Sequence, residues 1–314
     1  MGVMVQDPQA LYAFEPEGLE AVQSAFLEAS AGPVLLHFLD GFMDAGETGG
    51  QVVEHLLNDP DAVLVARFDA DRLVDYRARR PTMVFDRDHW ASYDAPELDL
   101  YLLHDAVGTP FLLLSGPEPD VEWERFAAAV LDVCDHLDVS LAVGFHGIPM
   151  GVPHTRPVGL TPHGNRRDLL GKFPRWFERV QVPGSVDAML EFRMGEAGLG
   201  TIGFAAHVPH YLARTAWPPS AVAVLEAVQS ATGLVLPGAE IRARISEVQE
   251  EVDQQIAEGD GELKSAVAGL EQQYDAVAGA ADRESLLAEP VDLPSADELA
   301  AAFEEFLAEH NDEQ

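Results

Sequence analysis

Short apolar runs bounded by turn residues recur through the first three quarters of the chain, at 34–39, 62–68, 98–104, 111–115, 139–145 and 200–207. Runs this short, punctuated in this way, predict strands rather than helices. Between them the period lengthens. Over 121–137 the spacing puts Trp123, Phe126, Val130, Val133, Cys134 and Leu137 on one face, with Asp120 placed to cap the helix and Glu122 and Glu124 in its first turn. A second helix begins at Pro218-Pro219 and runs to Thr232, before Gly233. Strands alternating with helices predict an α/β fold with a mostly parallel central sheet.

The strand pattern stops at Gly238. Ile241, Ile245, Val248, Val252 and Ile256 follow at spacings of 4, 3, 4 and 4, then Gly-Asp-Gly at 259–261, then Leu263, Val267, Leu270, Tyr274 and Val277 at 4, 3, 4 and 3. Two seams of this spacing joined at glycines predict an antiparallel helical hairpin over 238–281. Ser295 and Glu298 form a capping box that opens a final helix over 295–310. The expected division is an α/β domain over 1–237 and an acidic helical region over 238–314.

Charge narrows the choice of partner. The 314 residues carry a net charge of -35, and Lys172 and Lys264 are the only lysines. Residues 238–314 hold 21 acids against four bases, a net of -17, so this quarter carries about half the total. Such a surface repels nucleic acid and anionic lipid, and neither is expected as a partner. Cys134 is the single cysteine, so no internal disulfide can form. The N-terminal segment has neither a basic start nor an apolar run, which argues against a signal peptide, and no stretch is long and apolar enough to span a membrane. A cytoplasmic protein is expected.

One segment resembles a phosphate-binding loop. Gly41-Phe42-Met43-Asp44-Ala45-Gly46-Glu47-Thr48 follows an apolar strand and opens a helix near Gly46. The phosphate loop needs lysine where Glu47 stands, because that side chain reaches the outer phosphates. Glu47, with Asp40 and Asp44 beside it, carries the opposite sign, so nucleotide triphosphate binding is not expected. What remains is the backbone geometry, a tight turn at Gly41 and Gly46 leading to free N–H groups at a helix start.

"LDGFMDAGETGGQVVEHLL", "VARFDADRLVDYRARRPTMVF", "LLLSGPEPDVEWERF" and "AVGFHGIPMGVPHTRPVGLT", in this order and spacing, resemble the PAC2 (proteasome assembly chaperone 2) family, in its actinobacterial branch. The resemblance covers about residues 10 to 237. It implies a three-layer α/β/α sandwich related to nucleoside phosphorylases and hydrolases. Eukaryotic members help to assemble proteasome rings, so the resemblance also implies protein partners. Gly41 and Gly46 would then belong to the family's first turn.

The remaining polar candidates leave the ends of expected strands, where α/β folds bind ligands. His146, His154, Arg156 and His163 lie within 144–164, and His207 and His210 within the segment after 200. Of these, His146, His154, Arg156 and His207, with Asp40, Gly41, Asp44 and Gly46, define a candidate cleft. Pro209 argues against His207 and His210 pairing on a helix, and no zinc-ligand spacing, GxSxG elbow or cofactor fingerprint is present. No metal and no cofactor are expected, and the spacing assembles no complete catalytic set. Arg77, Arg79 and Arg80 are expected to pair with nearby acids such as Asp75 and Asp86. Two functions stay open. One is a protein that acts through protein–protein contacts, as an assembly or scaffold factor and a homo-oligomer, with "HGIPMGVPH" and "RTAWPP" as apolar contact loops. The other is a small-molecule binder or a phosphorylase- or hydrolase-like enzyme using the strand-end cleft.

Overall fold

The computed structural model of the chain describes residues 7–27, 29, 31–170, 179–259 and 261–284, with the backbone alone over 277–284. Its strands are β1 (Tyr12–Phe14), β2 (Val34–Asp40), β3 (Val63–Phe68), β4 (Met83–Asp86), β5 (His89–Tyr93), β6 (Asp99–His104), β7 (Pro110–Pro117), β8 (Leu141–Met150), β9 (Leu160–Gly164) and β10 (Gly200–Pro209). Eight of them form one sheet in the order β1-β3-β6-β7-β2-β8-β10-β9. The parallel part expected from the alternation lies at the centre, where β7, β2, β8 and β10 run together. Both margins are antiparallel, so the sheet is mixed.

Period-two alternation splits the core into two layers. On β2, Leu35 and Leu39 face one side, while Leu36 and Phe38 face the other. The first side is covered by α1 (Pro16–Phe26), α4 (Trp123–His136) and α5 (Val186–Glu196), which contribute Val22, Phe126, Val130, Val186 and Leu190. The short α3 (Ala70–Leu73) adds Leu73. The second side is covered by α2 (Thr48–Leu57) and α6 (Pro218–Thr232), through Val52, Leu56, Val224 and Leu225. The architecture is therefore an α/β/α sandwich.

Helix α6 starts on the proline pair and ends at Gly233 (φ 77°), as its sequence predicts. Helix α4 starts differently. Its cap position is Glu122, in left-handed geometry, and the expected cap Asp120 instead accepts the Asp75 N–H and pairs with Arg79. Strands β8 and β10 extend to Met150 and Pro209 and stay paired along their whole length, so His146 stands inside a strand and not on the loop after it.

Beyond α6 come α7 (Ala239–Ala243), α8 (Ile245–Glu258) and α9 (Gly261–Glu284). The chain leaves helical geometry at Gly259, inside the 259–261 span expected to turn. The seam from Ile241 to Ile256 faces the α/β layers. Ile241 and Ile245 join the α2–α6 core, while Val248, Val252 and Ile256 pack with Ala45, Val208, Leu212 and Trp217. The chain divides into two compact units, residues 1–271 and 272–314. The final helix expected over 295–310 lies outside the described residues. No helix among the described residues is long and apolar enough to cross a membrane.

Candidate functional site

The turn after β2 closes on its own side chain. The Asp44 carboxylate accepts the Gly49 and Gly147 N–H groups through Oδ1 at 2.9 and 3.0 Å, and the Gly50 N–H through Oδ2 at 3.0 Å. Gly49 and Gly50 are in the first turn of α2, where the helix has N–H groups without intrahelical acceptors. These are the donors that a bound phosphate would use. An internal carboxylate holds them instead, while Glu47 is exposed. Burial pushes the Asp44 pKa from its ordinary 3.8 up to about 6, the three N–H donors pull it down, and the Asp40 charge adds to the rise.

Gly46 sits at φ 70°, where L side chains are strained, and its main chain links two regions. Its N–H donates to the Ala213 carbonyl, and its carbonyl accepts the Trp217 N–H and the Gln51 side-chain amide. Trp217 is buried, its ring 6.4 Å from that of His154. The "RTAWPP" segment therefore spends its tryptophan in the core and does not offer it as a contact loop.

Asp40 and Gly41 are held by a different group. A side chain at Gly41 would run into Glu118, whose carboxylate accepts the Phe42 N–H at 2.9 Å and the Val186 N–H at 2.7 Å. Burial raises the Glu118 pKa, against those two donors. Arg79 donates to the carbonyls of Asp40 and Glu118 and pairs with Asp120 at 2.8 Å. This arginine thus ties the turn to the strand before α4, and its partner is Asp120 where Asp75 or Asp86 was expected. Asp40 also lines an open groove of about 470 Å³ with Glu97, Tyr101 and Ser115. Among the described residues, no positively charged side chain lines it.

His154 and Arg156 face the helical region. The Tyr211 hydroxyl oxygen accepts the His154 N–H at 3.0 Å and lies 2.7 Å from His154 Nδ1. His154 Nε2 is 3.0 Å from Asp253 of α8. With the Tyr211 hydroxyl donating to Nδ1, Nε2–H donates to Asp253, and one buried imidazole links the 210–212 turn to α8. Arg156 lies 3.5 Å from Glu271, which also accepts the Thr155 hydroxyl.

A third set lies under α5, and the sequence signals only part of it. His37 of β2 pairs with Asp187 of α5 at 2.9 Å, and Asp187 also accepts the Leu39 N–H. His163 pairs with Glu191 at 2.6 Å, and its ring is 6.3 Å from that of His146. Burial, with the nearby His163, lowers the His146 pKa to about 4. Burial raises the Glu191 carboxyl, but the His163 hydrogen bond and charge outweigh it and the net shift is downward. His207 lies 2.8 Å from the Thr161 hydroxyl, and burial lowers its pKa to about 4. His146 and His207 are therefore neutral at physiological pH. Among the described residues, no group of three or more His, Cys, Asp or Glu side chains is arranged to hold a metal ion. Cys134 is buried in α4, and its thiol is pushed up to about 12, far from the thiolate that nucleophilic chemistry needs.

A family model for the PAC2 family matches residues 38–256. Among solved structures, a Mycobacterium tuberculosis protein of unknown function is 42% identical, with 91% of this chain and 96% of that one covered and a TM-score of 0.81. A Corynebacterium glutamicum protein of unknown function is 34% identical, with coverage of 86% and 98% and a TM-score of 0.80. A Mycobacterium tuberculosis proteasome-assembly chaperone homologue is 25% identical, with coverage of 74% and 99% and a TM-score of 0.68. No curated protein matches the chain.

Proposed function

The chain belongs to the PAC2 family, and from that membership we propose that it acts by binding other protein chains, as an assembly or scaffold factor. The observation that carries this reading is the β4–β5 hairpin. Among the described residues these two strands pair only with each other, and every residue in both is exposed. Met83, Val84, Phe85, Trp90 and Tyr93 keep 46–63% of their surface in water. A lone two-stranded ribbon is marginal in water, and so much apolar surface on one projection marks a contact site. The strand-end turn offers less, because Asp44, Glu118 and Asp187 already spend their carboxylates on main-chain N–H groups.

Because a relative is a proteasome-assembly chaperone homologue, proteasome subunits are the first client to test. The full chain, mixed with unassembled proteasome subunits, is expected to co-elute with them on size exclusion and to change the yield of assembled rings. Separate elution with an unchanged yield would remove the proteasome from this reading. A small-molecule role is the second reading, and the groove beside Asp40 favours it. With Asp40 and Glu97 in its wall and no positive side chain among the described residues that line it, that groove suits a cationic or neutral ligand and not the phosphate of a phosphorylase reaction.

A further inference from the structure

We propose that the groove beside Asp40 binds an aliphatic diamine, a carbon chain carrying two ammonium groups. The proposal rests on the small-molecule reading of this groove, and it names the ligand class.

The sheet sets the shape. Strands β2, β7 and β6 lie side by side, with β7 in the middle. On the face turned to α2, Phe38, Ser115 and Tyr101 form the floor, and Val53 and Leu57 of α2 form one wall. The volume of about 470 Å³ is that of a small-molecule site. Asp40 is level with Pro117 in the β2–β7 pairing, and Asp99 is level with Ser115 in the β6–β7 pairing. Glu97, two residues before Asp99, is therefore level with Pro117 as well. The two acids enter the groove from opposite flanks of β7, their main chains two strand spacings or about 10 Å apart.

Every polar side chain lining the groove can accept a hydrogen bond. Asp40 and Glu97 are exposed carboxylates. The Tyr101 hydroxyl spends its hydrogen on Asp99 at 3.2 Å and keeps only acceptor capacity. Ser115 is 5% exposed and stands on the groove face, and no described residue hydrogen-bonds its hydroxyl. A buried hydroxyl without a partner is costly, and a donor bound in the groove would satisfy it. The nearby cations are committed elsewhere. Arg79 holds the Asp40 and Glu118 carbonyls and Asp120, and Arg67 pairs with Glu15 and lies 3.6 Å from Asp99. The complementary ligand supplies donors, positive charge and an apolar body. An alkylammonium has all three, and aromatic rings such as Phe38 and Tyr101 add attraction for a cation. Two carboxylates set apart on either side of an apolar floor match two ammonium groups on one chain. A metal ion is a poorer match, because among the described residues no three His, Cys, Asp or Glu side chains are arranged to hold one.

A chain of net charge -35 draws in any cation, so the test must separate the groove from the overall field. It is a ligand-observed NMR titration of the full chain at physiological salt. The probes are 1,5-diaminopentane, pentylamine and 1,5-pentanediol, which share one carbon chain and carry two, one and no ammonium groups. The diamine is expected to bind saturably and at least roughly tenfold more tightly than the monoamine. Asp40→Asn with Glu97→Gln, at two exposed positions, is expected to weaken it at least roughly tenfold with unchanged circular dichroism. Ser115→Ala is expected to weaken it about fivefold. Glu17→Gln with Glu20→Gln removes the same charge from exposed positions of α1 and is expected to leave the affinity within about twofold. A diamine that does not saturate, or a monoamine that binds equally well, overturns the proposal. So does a groove pair that binds like the wild type, or an α1 pair that loses as much, which would assign the binding to net charge alone. If the diol saturates and the diamine does not, the ammonium class alone falls and the small-molecule reading stands. If none of the three binds, that reading loses its support as well.

Discussion

Removing the Asp44 carboxylate leaves the Gly49, Gly50 and Gly147 N–H groups without their acceptor. Asp44→Ala is therefore expected to cost about 2–4 kcal/mol in urea unfolding at neutral pH, because unpaired buried donors are expensive. Asp44→Asn keeps one oxygen for Gly49 and Gly147 and is expected to cost less. The two states differ in proton uptake. Folded Asp44 titrates near 6 and unfolded near 3.8, so between these values the native state holds a proton that the unfolded chain has released. The stability from this group is full below 3.8 and is lost as pH rises through about 6, at no more than about 1.4 kcal/mol per pH unit. The wild type is expected to lose stability relative to Asp44→Asn between pH 4 and 6, and parallel pH profiles would contradict that. Calorimetry is expected to detect no ATP or GTP binding, since the helix start is occupied and Glu47 replaces the lysine. The glycine turn was legible in the sequence, because Gly41 and Gly46 mark it, although only Gly46 has a positive φ and Gly41 makes room for Glu118. Its occupant was not, since Asp44 meets Gly147 across 103 residues. His37 was missed for the same reason, as its partner Asp187 lies 150 residues away.

At the scale of elements, spacing identified the apolar seam of α8 but not what it covers. Val248, Val252 and Ile256 look as though they would serve a helical mate, yet they pack around Trp217 and Leu212. Periodicity reports which face is buried and carries no label for the surface that buries it. Trp217→Ala is expected to cost about 3–5 kcal/mol, the usual range for truncating a buried tryptophan. His154→Ala, which cuts the link between Tyr211 and Asp253, is expected to raise hydrogen exchange across 245–258 more than across α4. Equal change in both helices would show that the imidazole acts on the whole fold and not on α8. The central strands were legible because both faces are buried and the sequence reads as continuous apolar runs. The marginal strands β1 and β9 escaped, one being three residues long and the other carrying Pro162, which an edge strand tolerates. The hairpin escaped because neither of its faces is covered.

At the scale of the whole molecule, two chains of -35 repel over distances that salt screens, while exposed pairs such as Arg87 with Asp86 contribute little. Self-association is therefore expected to strengthen as ionic strength rises from low to physiological values, and an oligomer weakened by added salt would place the main attraction in charge pairs instead. The account turns on which surface is used, the exposed hairpin or the strand-end turn. Hydrogen exchange of the full chain, followed at rising concentration and with unassembled proteasome subunits added, reads both surfaces at once. The expected result is growing protection of residues 83–93, an isolated ribbon that is weakly protected when alone, with 40–50 and 144–150 unchanged. Protection growing at 40–50 and 144–150 while 83–93 stays open would contradict the account and move the function to the strand-end turn.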